Sequence, residues 1–394
     1  MPTGYGRICN SAQVSNGRCR YTTIRGVWHN FFAKPQHAPF RGYSFFSEYN
    51  VATGDTLSLL DARGAVGVVL FQLGGPESLD GVEPFLYRLF SDPDIIDFPF
   101  ARVARPTLAR LIASRRAHHV REHYARIGGK SPIGELTRRQ ALALERELAN
   151  SIEARVFVAM RYSHPSTAEV VGEISRQPLK ELVLLPLYPQ YSLTTSGSSL
   201  NEWQRRYATL DGRRVPVKLV RNFYHHPGYL DALAERINLG LSRLETRPDA
   251  LLARDEVCLV FSAHGVPLKS ISAGDPYQAE VEATVSLVMA RPGWRNPYRL
   301  CYQSRVGPGK WLQPSLDMTL EELAAGGTRA VLVVPVSFVT DHVETLHEID
   351  IEAREAAARL GISHFEVMPA LNDSPAFIRA LADLVVEQAA RTDA

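Results

Sequence analysis

The sequence predicts an α/β protein of two similar, doubly wound (Rossmann-like) lobes, each with a mostly parallel sheet. Three observations predict this fold class. From residue 64 onward, apolar runs rich in Val and Leu recur and lack polar alternation, as in strands that are buried on both faces. Amphipathic stretches with apolar residues spaced by three and four separate these runs. The pattern also repeats within the chain, which indicates two related lobes.

The predicted strands share this apolar composition and lie at 66–71, 155–160, 182–187, 215–220, 257–261, 299–302, 330–336 and 365–368. The clearest helices are predicted at 137–152, 227–244 and 280–290. Because strands and helices alternate, we expect parallel strands joined by helical crossovers.

The internal repeat is visible in two pairs of segments. "LVLLPLYPQYSLTTSGSSLNEW" begins at Leu182 and "AVLVVPVSFVTDHVETLHEI" begins at Ala330. Each combines an apolar strand with an internal proline, a polar loop with threonine, and a helix. "VGVVLFQLGGP" and "VCLVFSAHGVP" match in the same way. Because ligands of such folds bind beyond the carboxyl ends of the strands, the segments after these strands are candidate sites.

Composition excludes several classes of protein. The 394 residues carry a formal net charge of only +2, which does not indicate a polyanionic partner such as nucleic acid. No run of about 18 apolar residues predicts a membrane span. The cysteines (Cys9, Cys19, Cys258 and Cys301) form no CxxC pair, so neither a zinc ribbon nor a disulfide framework is supported. A reducing compartment fits this usage, and we expect a cytoplasmic protein.

The chain divides into four predicted regions. Residues 1–63 form a basic extension, predicted to be disordered, whose first acidic residue is Glu48. A transit peptide for an organelle and a start codon assigned too far upstream are the alternatives for this segment. An N-terminal lobe is predicted at 64–238 and a C-terminal lobe at 239–349. C-terminal helices at 350–394 are expected to pack back on the first lobe.

Six ionisable side chains follow the apolar run 330–336: Asp341, His342, Glu344, His347, Glu348 and Asp350. One interpretation is a capping box formed by the first aspartate and the first glutamate, on a solvated acidic face. The other is a wall for a divalent cation or for proton transfer, since Asp341, Glu344 and Glu348 share one helical face and His347 lies beside them.

A second candidate lies at the end of another predicted strand. "VFSAHGVP" places His264 directly after an apolar run. A histidine at a strand end is often only a hydrogen-bonded residue. In a two-lobed protein, however, the ends of equivalent strands face each other across a cleft, so we expect His264 to oppose the acidic stretch. One imidazole and one carboxylate are an incomplete ligand set, which suits transient holding of a metal.

Several motifs resemble those of the ferrochelatases and follow the same order along the chain. The ferrochelatases insert ferrous iron into protoporphyrin IX in the last step of haem synthesis. These motifs are "QLGGPES" (72–78), "RIGGKSPI" (126–133), "MRYSHP" (160–165), "YPQYS" (188–192), "GSSLNEW" (197–203), "FSAHGVP" (261–267), "GDPY" (274–277), "NPYRLCYQSRVGPGKWLQP" (296–314) and "TDHVETLHEID" (340–350). The resemblance runs from about residue 64 to 390 and leaves out residues 1–63.

The resemblance implies a class II chelatase-like fold and a set of functional residues. His264 and Glu344 are implied as the metal and proton site, with Asp341, His342 and Glu348 as an inner polar row. The implied porphyrin contacts are Leu73, Arg115, Arg116, Tyr124, Ser131, Arg161, Tyr191 and Trp311. The apolar segment 83–100 is implied as the lip of the pocket and as a surface for peripheral contact with a membrane. Protoporphyrin IX and Fe²⁺ are the implied partners, and a monomer or homodimer is expected.

The sequence departs from animal members of that family at the positions of an iron–sulfur cluster. Leu193 stands where those members have the first cysteine ligand, and no cysteine follows Cys301. We therefore expect a bacterial-type protein with no iron–sulfur cluster and no permanently bound cofactor, and with Fe²⁺ as a substrate.

Two other functions remain open from the sequence. One is a related chelatase that uses coproporphyrin or cobalt. The other is a carrier of haem or metal without catalysis, which needs no proton acceptor at position 264.

Overall fold

The computed structural model describes residues 64–95, 101–210, 214–246, 253–291, 293–304 and 309–391. The predicted N-terminal extension, residues 1–63, lies outside the described residues.

The first sheet contains the strands β1 (Ala65–Gln72), β2 (Ala154–Met160), β3 (Leu179–Pro186) and β4 (Val217–Leu219). Its strands are parallel and follow the order β2-β1-β3-β4. Every residue of β1 is buried. This central strand is covered on both faces, which explains its continuous apolar sequence.

The second sheet has the same topology as the first. It contains β5 (Cys258–His264), β6 (Tyr298–Gln303), β7 (Ala330–Pro335) and β8 (His364–Val367). The strands are parallel in the order β6-β5-β7-β8. Strands β5 and β7 therefore occupy the positions of β1 and β3. The predicted fold class and the predicted internal repeat are confirmed.

The α-helices of the described residues are α1 (Val82–Phe90), α2 (Ala101–Arg126), α3 (Ile133–Leu148), α4 (Thr167–Ile174), α5 (Ser198–Tyr207), α6 (Pro227–Glu245), α7 (Leu268–Ser272), α8 (Tyr277–Met289), α9 (Leu316–Ala325), α10 (Arg354–Arg359) and α11 (Pro375–Ala390). A 3₁₀ turn spans Arg254–Glu256. Two segments have the wider π-helical winding, Leu193–Gly197 and Glu344–Ala353. They lead into α5 and α10, so the equivalent strands β3 and β7 are both followed by a π-helix.

The two sheets share one hydrophobic core. A continuous buried cluster joins Leu70 and Val183 of the first sheet to Leu259 and Leu332 of the second. Helices α6 and α11 lie within this core and pack against each other, and α11 also contacts α3 and β3. The lobes are therefore held as one structural unit by apolar burial.

Two features differ from the predicted domain limits. The boundary between residues 238 and 239 falls inside α6, which is continuous because its apolar face is buried along its whole length. The segment 350–394, assigned as C-terminal helices, also contains β8, the strand predicted at 365–368, which pairs with β7 and so belongs to the second sheet. The other domain limits stay predictions.

Candidate active site

Three neighbouring strand ends of the second lobe build the candidate site. His264 is the last residue of β5, and in register it lies beside Gln303, the last residue of β6. Ser304 follows in the left-handed region, with φ 61°, which turns the chain away from the sheet. On the other side of β5, β7 ends and the chain returns as the π-helix that begins at Glu344.

His264 and Glu344 are in direct contact. His264 Nδ1 lies 2.9 Å from Glu344 Oε2, and the two side chains are 31% and 16% exposed. The same carboxylate oxygen accepts a hydrogen bond from Ser304 Oγ at 3.0 Å. The π-helix begins without a side-chain cap. The capping-box interpretation is therefore wrong, because Glu344 bonds across to other strand ends rather than back to its own helix start.

A second imidazole borders the same carboxylate. His342 is buried, its Nδ1 lies 3.0 Å from the Thr340 carbonyl oxygen, and its Nε2 lies 3.8 Å from Glu344 Oε1. The carbonyl accepts a hydrogen bond from Nδ1–H, which leaves Nε2 directed at the carboxylate.

The pKa values of this group follow from burial and mutual charge. Burial alone lowers the pKa of His264, but the charge and hydrogen bond of Glu344 and the charge of Glu348 outweigh it, so the pKa is raised. The pKa of His342 is raised in the same way, with burial opposed by the Glu344 carboxylate. Burial raises the pKa of Glu344, but the two imidazoles hold it well below its usual range. The interactions within this group thus favour an ionised Glu344 and stabilise the protonated form of each imidazole beside it.

Glu348 lies one turn further along the π-helix and is bridged to Glu344 by a hydroxyl. Ser304 Oγ lies 2.5 Å from Glu348 Oε2 and 3.0 Å from Glu344 Oε2. Burial and the nearby Glu344 charge raise the pKa of Glu348 to about 7. Because a hydroxyl has one proton to donate, both contacts are hydrogen bonds only when one carboxyl is protonated, and Glu348 is that carboxyl.

Asp341 does not belong to this group. Its Oδ1 accepts from Thr345 Oγ1 at 3.0 Å and its Oδ2 accepts from Asn372 Nδ2 at 2.8 Å. It lines a separate cavity with Thr345, Asp350 and Asn372. The predicted face of three carboxylates is therefore wrong for this residue, because Asp341 precedes the helix and is held by the loop after β8.

The predicted arrangement of the pair across a cleft between the lobes is also wrong. His264 and Glu344 both belong to the second lobe, since β5 and β7 are neighbours in one sheet. The segments converge as predicted, but they touch each other instead of facing across a slot.

The first lobe supplies an apolar wall near this pair. A cluster packs α1 against α2 and includes Phe85, Tyr124 and Tyr162, with Leu73 at the end of β1 packed on it. Val343, directly before Glu344, packs on the same cluster. Burial, with the charges of Glu344 and Glu348, raises the pKa of Tyr124, so the phenol stays neutral near the carboxylates. A cavity of about 1180 Å³ borders the Glu348 side of the pair, lined by Gly265, Ser304, Trp311 and Glu348 among others.

Comparison with known proteins identifies the family. The family model described as Ferrochelatase matches residues 65–389. The chain belongs to the ferrochelatase family. The ferrochelatase of Trichodesmium erythraeum is 46% identical over 325 residues, which is 82% of each chain. That of Geotalea uraniireducens is 48% identical over 318 residues, 81% of this chain and 96% of that protein.

Membership makes this chain an enzyme, a porphyrin metal chelatase of haem synthesis. Among solved structures, SirB from Bacillus subtilis is similar with a TM-score of 0.48 and 11% identity, over 83% of this chain and 96% of that chain. CbiX, from denitrifying bacteria, is similar with a TM-score of 0.43 and 15% identity, over 83% of this chain and 100% of that chain.

The porphyrin contacts implied by the ferrochelatase resemblance lie in different settings. Arg115 and Arg116 are exposed on α2, and Arg116 lies 5.7 Å over the ring of Phe90. Ser131 is buried and touches the turn at Gly75, where an added Cβ would lie 2.5 Å from the serine Cβ. This contact explains why glycine occupies that position.

Tyr191 and Trp311 lie on opposite lobes. The backbone N–H of Tyr191 donates to Glu280 Oε2 at 2.7 Å, and Arg221 lies 4.5 Å over its ring. Trp311 is half-buried and packs beside Gly265, next to the catalytic candidate His264.

Arg161 is engaged inside the protein. Its Nη2 lies 2.8 Å from Oδ2 of Asp92, whose side chain is fully buried, and its Nε donates to Ser198 Oγ at 2.8 Å. Tyr162 Oη and Ser198 Oγ also donate to Asp92 Oδ2, each at 2.5 Å. This network ties the end of α1 to β2 and α5, so Arg161 orders the wall of the pocket through its buried partners.

The predicted lip, residues 83–100, is described only up to residue 95. Its apolar residues Phe85, Leu86 and Phe90 face inward against α2. Leu108 and Leu111 of α2, the helix that packs on the lip, are exposed apolar side chains at 36% and 46%. Within the described part of the chain, no helix combines the length and the apolar character of a membrane span.

Sequence reasoning did not single out Ser304 or Gln303. Ser304 follows β6 inside the family motif "CYQSRVGPGKW", so its position at a strand end was the available signal. Its left-handed φ and its link to two carboxylates depend on tertiary structure, and no local pattern reports them.

Proposed function

We propose that this chain inserts Fe²⁺ into protoporphyrin IX at the His264–Glu344 pair. The observation that carries the proposal is the 2.9 Å contact between His264 Nδ1 and Glu344 Oε2 at neighbouring strand ends. An imidazole and a carboxylate offer one nitrogen and one oxygen ligand to a divalent ion. Because two protein ligands leave most coordination positions open, the ion can pass on to the porphyrin nitrogens.

Insertion also needs proton acceptors, since two pyrrole N–H protons leave for each metal ion that enters. In our proposal, His264 accepts a proton on Nε2. Glu344 accepts the hydrogen bond from Nδ1–H, and its negative charge balances the positive charge of the imidazolium that forms. Ser304 lies between Glu344 and Glu348 and connects the two carboxyl groups. Glu348, with a pKa of about 7, exchanges protons readily at neutral pH and passes them outward.

The apolar wall of the first lobe, together with Val343 packed against it, would bind the porphyrin. Leu73, Tyr124 and Val343 provide apolar contact beside the pair. A tight apolar cleft can bend the flat ring and expose the nitrogen lone pairs, with binding energy supplying the distortion. Arg115 and Arg116 are exposed cations suited to the two propionates.

The nearest alternatives are coproporphyrin or cobalt as substrate, and a carrier that binds without catalysis. The relatives at 46% and 48% identity carry the name ferrochelatase, which favours iron and a porphyrin. A carrier needs no acid–base chain. The histidine–carboxylate–hydroxyl–carboxylate sequence at the site therefore favours an enzyme.

Anaerobic turnover tests the proposal. Purified protein is mixed with excess Fe²⁺ and either protoporphyrin IX or coproporphyrin, and the porphyrin absorbance is followed. We expect many turnovers with protoporphyrin IX, loss of activity in His264→Ala, and unchanged activity in His118→Ala, whose side chain is 87% exposed. A single stoichiometric turnover would indicate a carrier. A preference for coproporphyrin would contradict the assignment of protoporphyrin IX as the substrate.

We further propose that the protein contacts a membrane peripherally through the lip. The exposed Leu108 and Leu111 support this proposal.

We also propose that the protein has no iron–sulfur cluster. Cys258 and Cys301 lie buried in the core, where burial raises their pKa to about 11 and about 12. Such thiols are poor cluster ligands.

A further inference from the structure

A second cavity, of about 600 Å³, shares no lining residue with the His264–Glu344 pair or with the larger cavity beside it. Its lining comes from α3, α6, the π-helix and the loop that joins β8 to α11. This volume is within the range of binding sites for small molecules. The proposed insertion chemistry uses none of the side chains that line it.

Helix α11 begins at this cavity without a side-chain cap. Ser374, which precedes the helix, and Pro375, its first residue, both line the cavity. A serine at this position normally accepts a hydrogen bond from an N–H group of the first turn, but Ser374 makes no such bond. The first N–H groups of a helix have no partner within the helix and carry a partial positive charge. This end of α11 therefore favours an anion.

The Ser374 hydroxyl indicates independently that a polar group binds at this end of the helix. Ser374 is only 4% exposed, and among the described residues its Oγ has no hydrogen-bond partner. Buried hydroxyl groups are nearly always bonded, because leaving one without a partner costs free energy. Since a serine side chain can change rotamer without moving the backbone, this hydroxyl can turn to donate to an oxygen atom in the cavity.

Arg236 of α6 brings a positive charge to the same cavity. Within the described part of the chain it forms no ion pair, and its buried Nε has no hydrogen-bond partner. Arg243, further along the same helix, is engaged instead, with Nη1 3.5 Å from Glu366 Oε1. Because the N–H groups of a guanidinium form a planar fork, an arginine can bind two oxygen atoms of one phosphate.

The other charged groups around the cavity already have partners. Arg139 Nη2 lies 2.7 Å from Asp373 Oδ2, and Arg354 Nη2 lies 2.5 Å from Asp350 Oδ1. The Asp341 carboxylate is held by hydrogen bonds from neutral side chains. Among the described residues that line the cavity, the unpaired guanidinium on α6 is therefore the cation that remains for a ligand.

We propose that this cavity binds a phosphate group, held by Arg236, by Ser374 and by the first turn of α11. The phosphate is either a free ion or part of a small organic molecule. Leu346, Val367 and Met368 give the cavity an apolar side, which an organic group attached to the phosphate would contact. This site shares no residue with the His264–Glu344 pair and does not depend on the proposed insertion function.

Calorimetric titration of the full chain at constant ionic strength tests this site. Inorganic phosphate and AMP are the phosphate probes, and adenosine is the matched probe without phosphate. We expect phosphate or AMP to bind, and to bind about 10-fold or more weakly in Arg236→Gln and in Ser374→Ala, since each variant loses a hydrogen bond to a charged group. Arg176→Gln removes an equal charge from an exposed position after α4 and should bind like the wild type.

The two phosphate probes distinguish the sources of the phosphate. Tighter binding of AMP than of inorganic phosphate would support the site and identify an organic phosphate as its ligand. Binding of inorganic phosphate alone would support the site and identify the free ion. Adenosine that binds as tightly as AMP would overturn the proposal, because the phosphate would then contribute nothing to recognition.

Thermal unfolding separates loss of binding from loss of folding. Because the Ser374 hydroxyl caps no N–H group, Ser374→Ala should unfold at or above the wild-type temperature without a ligand. It should lose the increase in unfolding temperature that the phosphate probe gives the wild type. If Arg236→Gln does not fold, Ser374→Ala carries the test. Equal phosphate affinity in wild type and Ser374→Ala, or no binding of either phosphate probe at millimolar concentration, would overturn the proposal.

Discussion

Glu344 is the residue on which the geometry of the site depends. Its carboxylate touches His264 and Ser304 and lies near His342, so residues from three chain segments meet on one side chain. Its charge also sets the protonation of these neighbours, because it is the main group that raises the pKa of both imidazoles. A change at this residue therefore acts on metal binding and on proton transfer together.

Replacing Glu344 by glutamine tests this role. The amide keeps the shape but removes the charge, so we expect kcat to fall by about 10²–10⁴-fold, the usual contribution of acid–base catalysis. The pKa of His264 is expected to fall as well, because the carboxylate no longer stabilises the imidazolium. Steady-state kinetics and NMR titration of the imidazole measure the two effects. The exposed Glu173→Gln on α4 is the matched control, and an unchanged kcat in Glu344→Gln would contradict the assignment.

The raised pKa of Glu348 predicts that the stability of the protein depends on pH. Its pKa rises from 4.5 to about 7 on folding, so the folded state favours the protonated form. The stabilisation that Glu348 adds to the free energy of unfolding is fully present below about pH 4.5 and is lost as pH rises through about 7. Glu348→Gln cannot ionise and escapes this loss. Relative to wild type, we expect the variant to gain up to about 3 kcal/mol of unfolding free energy between pH 4 and pH 8.

Urea unfolding at several pH values measures this gain. A difference between the two proteins that stays constant with pH would mean that Glu348 titrates normally.

At the scale of elements, the site depends on how strands β5, β6 and β7 end. Their parallel arrangement was predictable, because apolar runs that alternate with helices specify it. The π-helix after β7 was not predictable, since its residues have the spacing of an ordinary amphipathic helix. The predicted helix 137–152 is observed at Ile133–Leu148, because helix formation begins directly after Pro132 rather than at the first apolar repeat.

Residue-level contacts from distant segments explain the remaining differences. The prediction brought His264 and Glu344 together, on the strength of the motifs and the strand ends. It misplaced Asp341 because Asn372, which binds this carboxylate, lies 31 residues further along the chain.

The network at Asp92 connects elements of the first lobe and should dominate local stability. Asp92→Ala leaves the Arg161 cation without its buried partner, and we expect a loss of about 3–5 kcal/mol in the free energy of unfolding. Chemical denaturation measures this loss. The exposed Asp80→Ala is the control and should change stability by less than about 0.5 kcal/mol. A loss below about 1 kcal/mol for Asp92→Ala would show that the ion pair is not needed for folding.

At the scale of the whole molecule, the two lobes behave as one body. Thr340 Oγ1 in the second lobe donates to Gln140 Oε1 in the first at 3.1 Å, and Tyr229 Oη donates to the Val336 carbonyl at 3.1 Å. Helix α6 contacts β7 so closely that a Cβ on Gly240 would lie 2.7 Å from Leu332 Cδ1. This shared core keeps the strand ends of the second lobe in a fixed position against the wall of the first.

Gly240→Ala tests that close packing. We expect a loss of about 1–3 kcal/mol through overpacking against Leu332. Gly172→Ala on α4 has nothing within 4 Å of the new methyl group, so it should be neutral or stabilise the protein by about 0.5–1 kcal/mol. Thermal unfolding of both variants measures the contrast. Equal effects at the two positions would mean that α6 and β7 can separate without cost.

The most direct test of the account is a single-turnover measurement on His264→Ala. Porphyrin-loaded enzyme is mixed anaerobically with Fe²⁺, and the rate of insertion and the affinity for protoporphyrin IX are measured separately. We expect insertion to slow by at least about 100-fold while porphyrin affinity changes little, because the imidazole acts on protons and metal rather than on the ring's apolar surface. An unchanged insertion rate, or a loss confined to porphyrin affinity, would contradict the account.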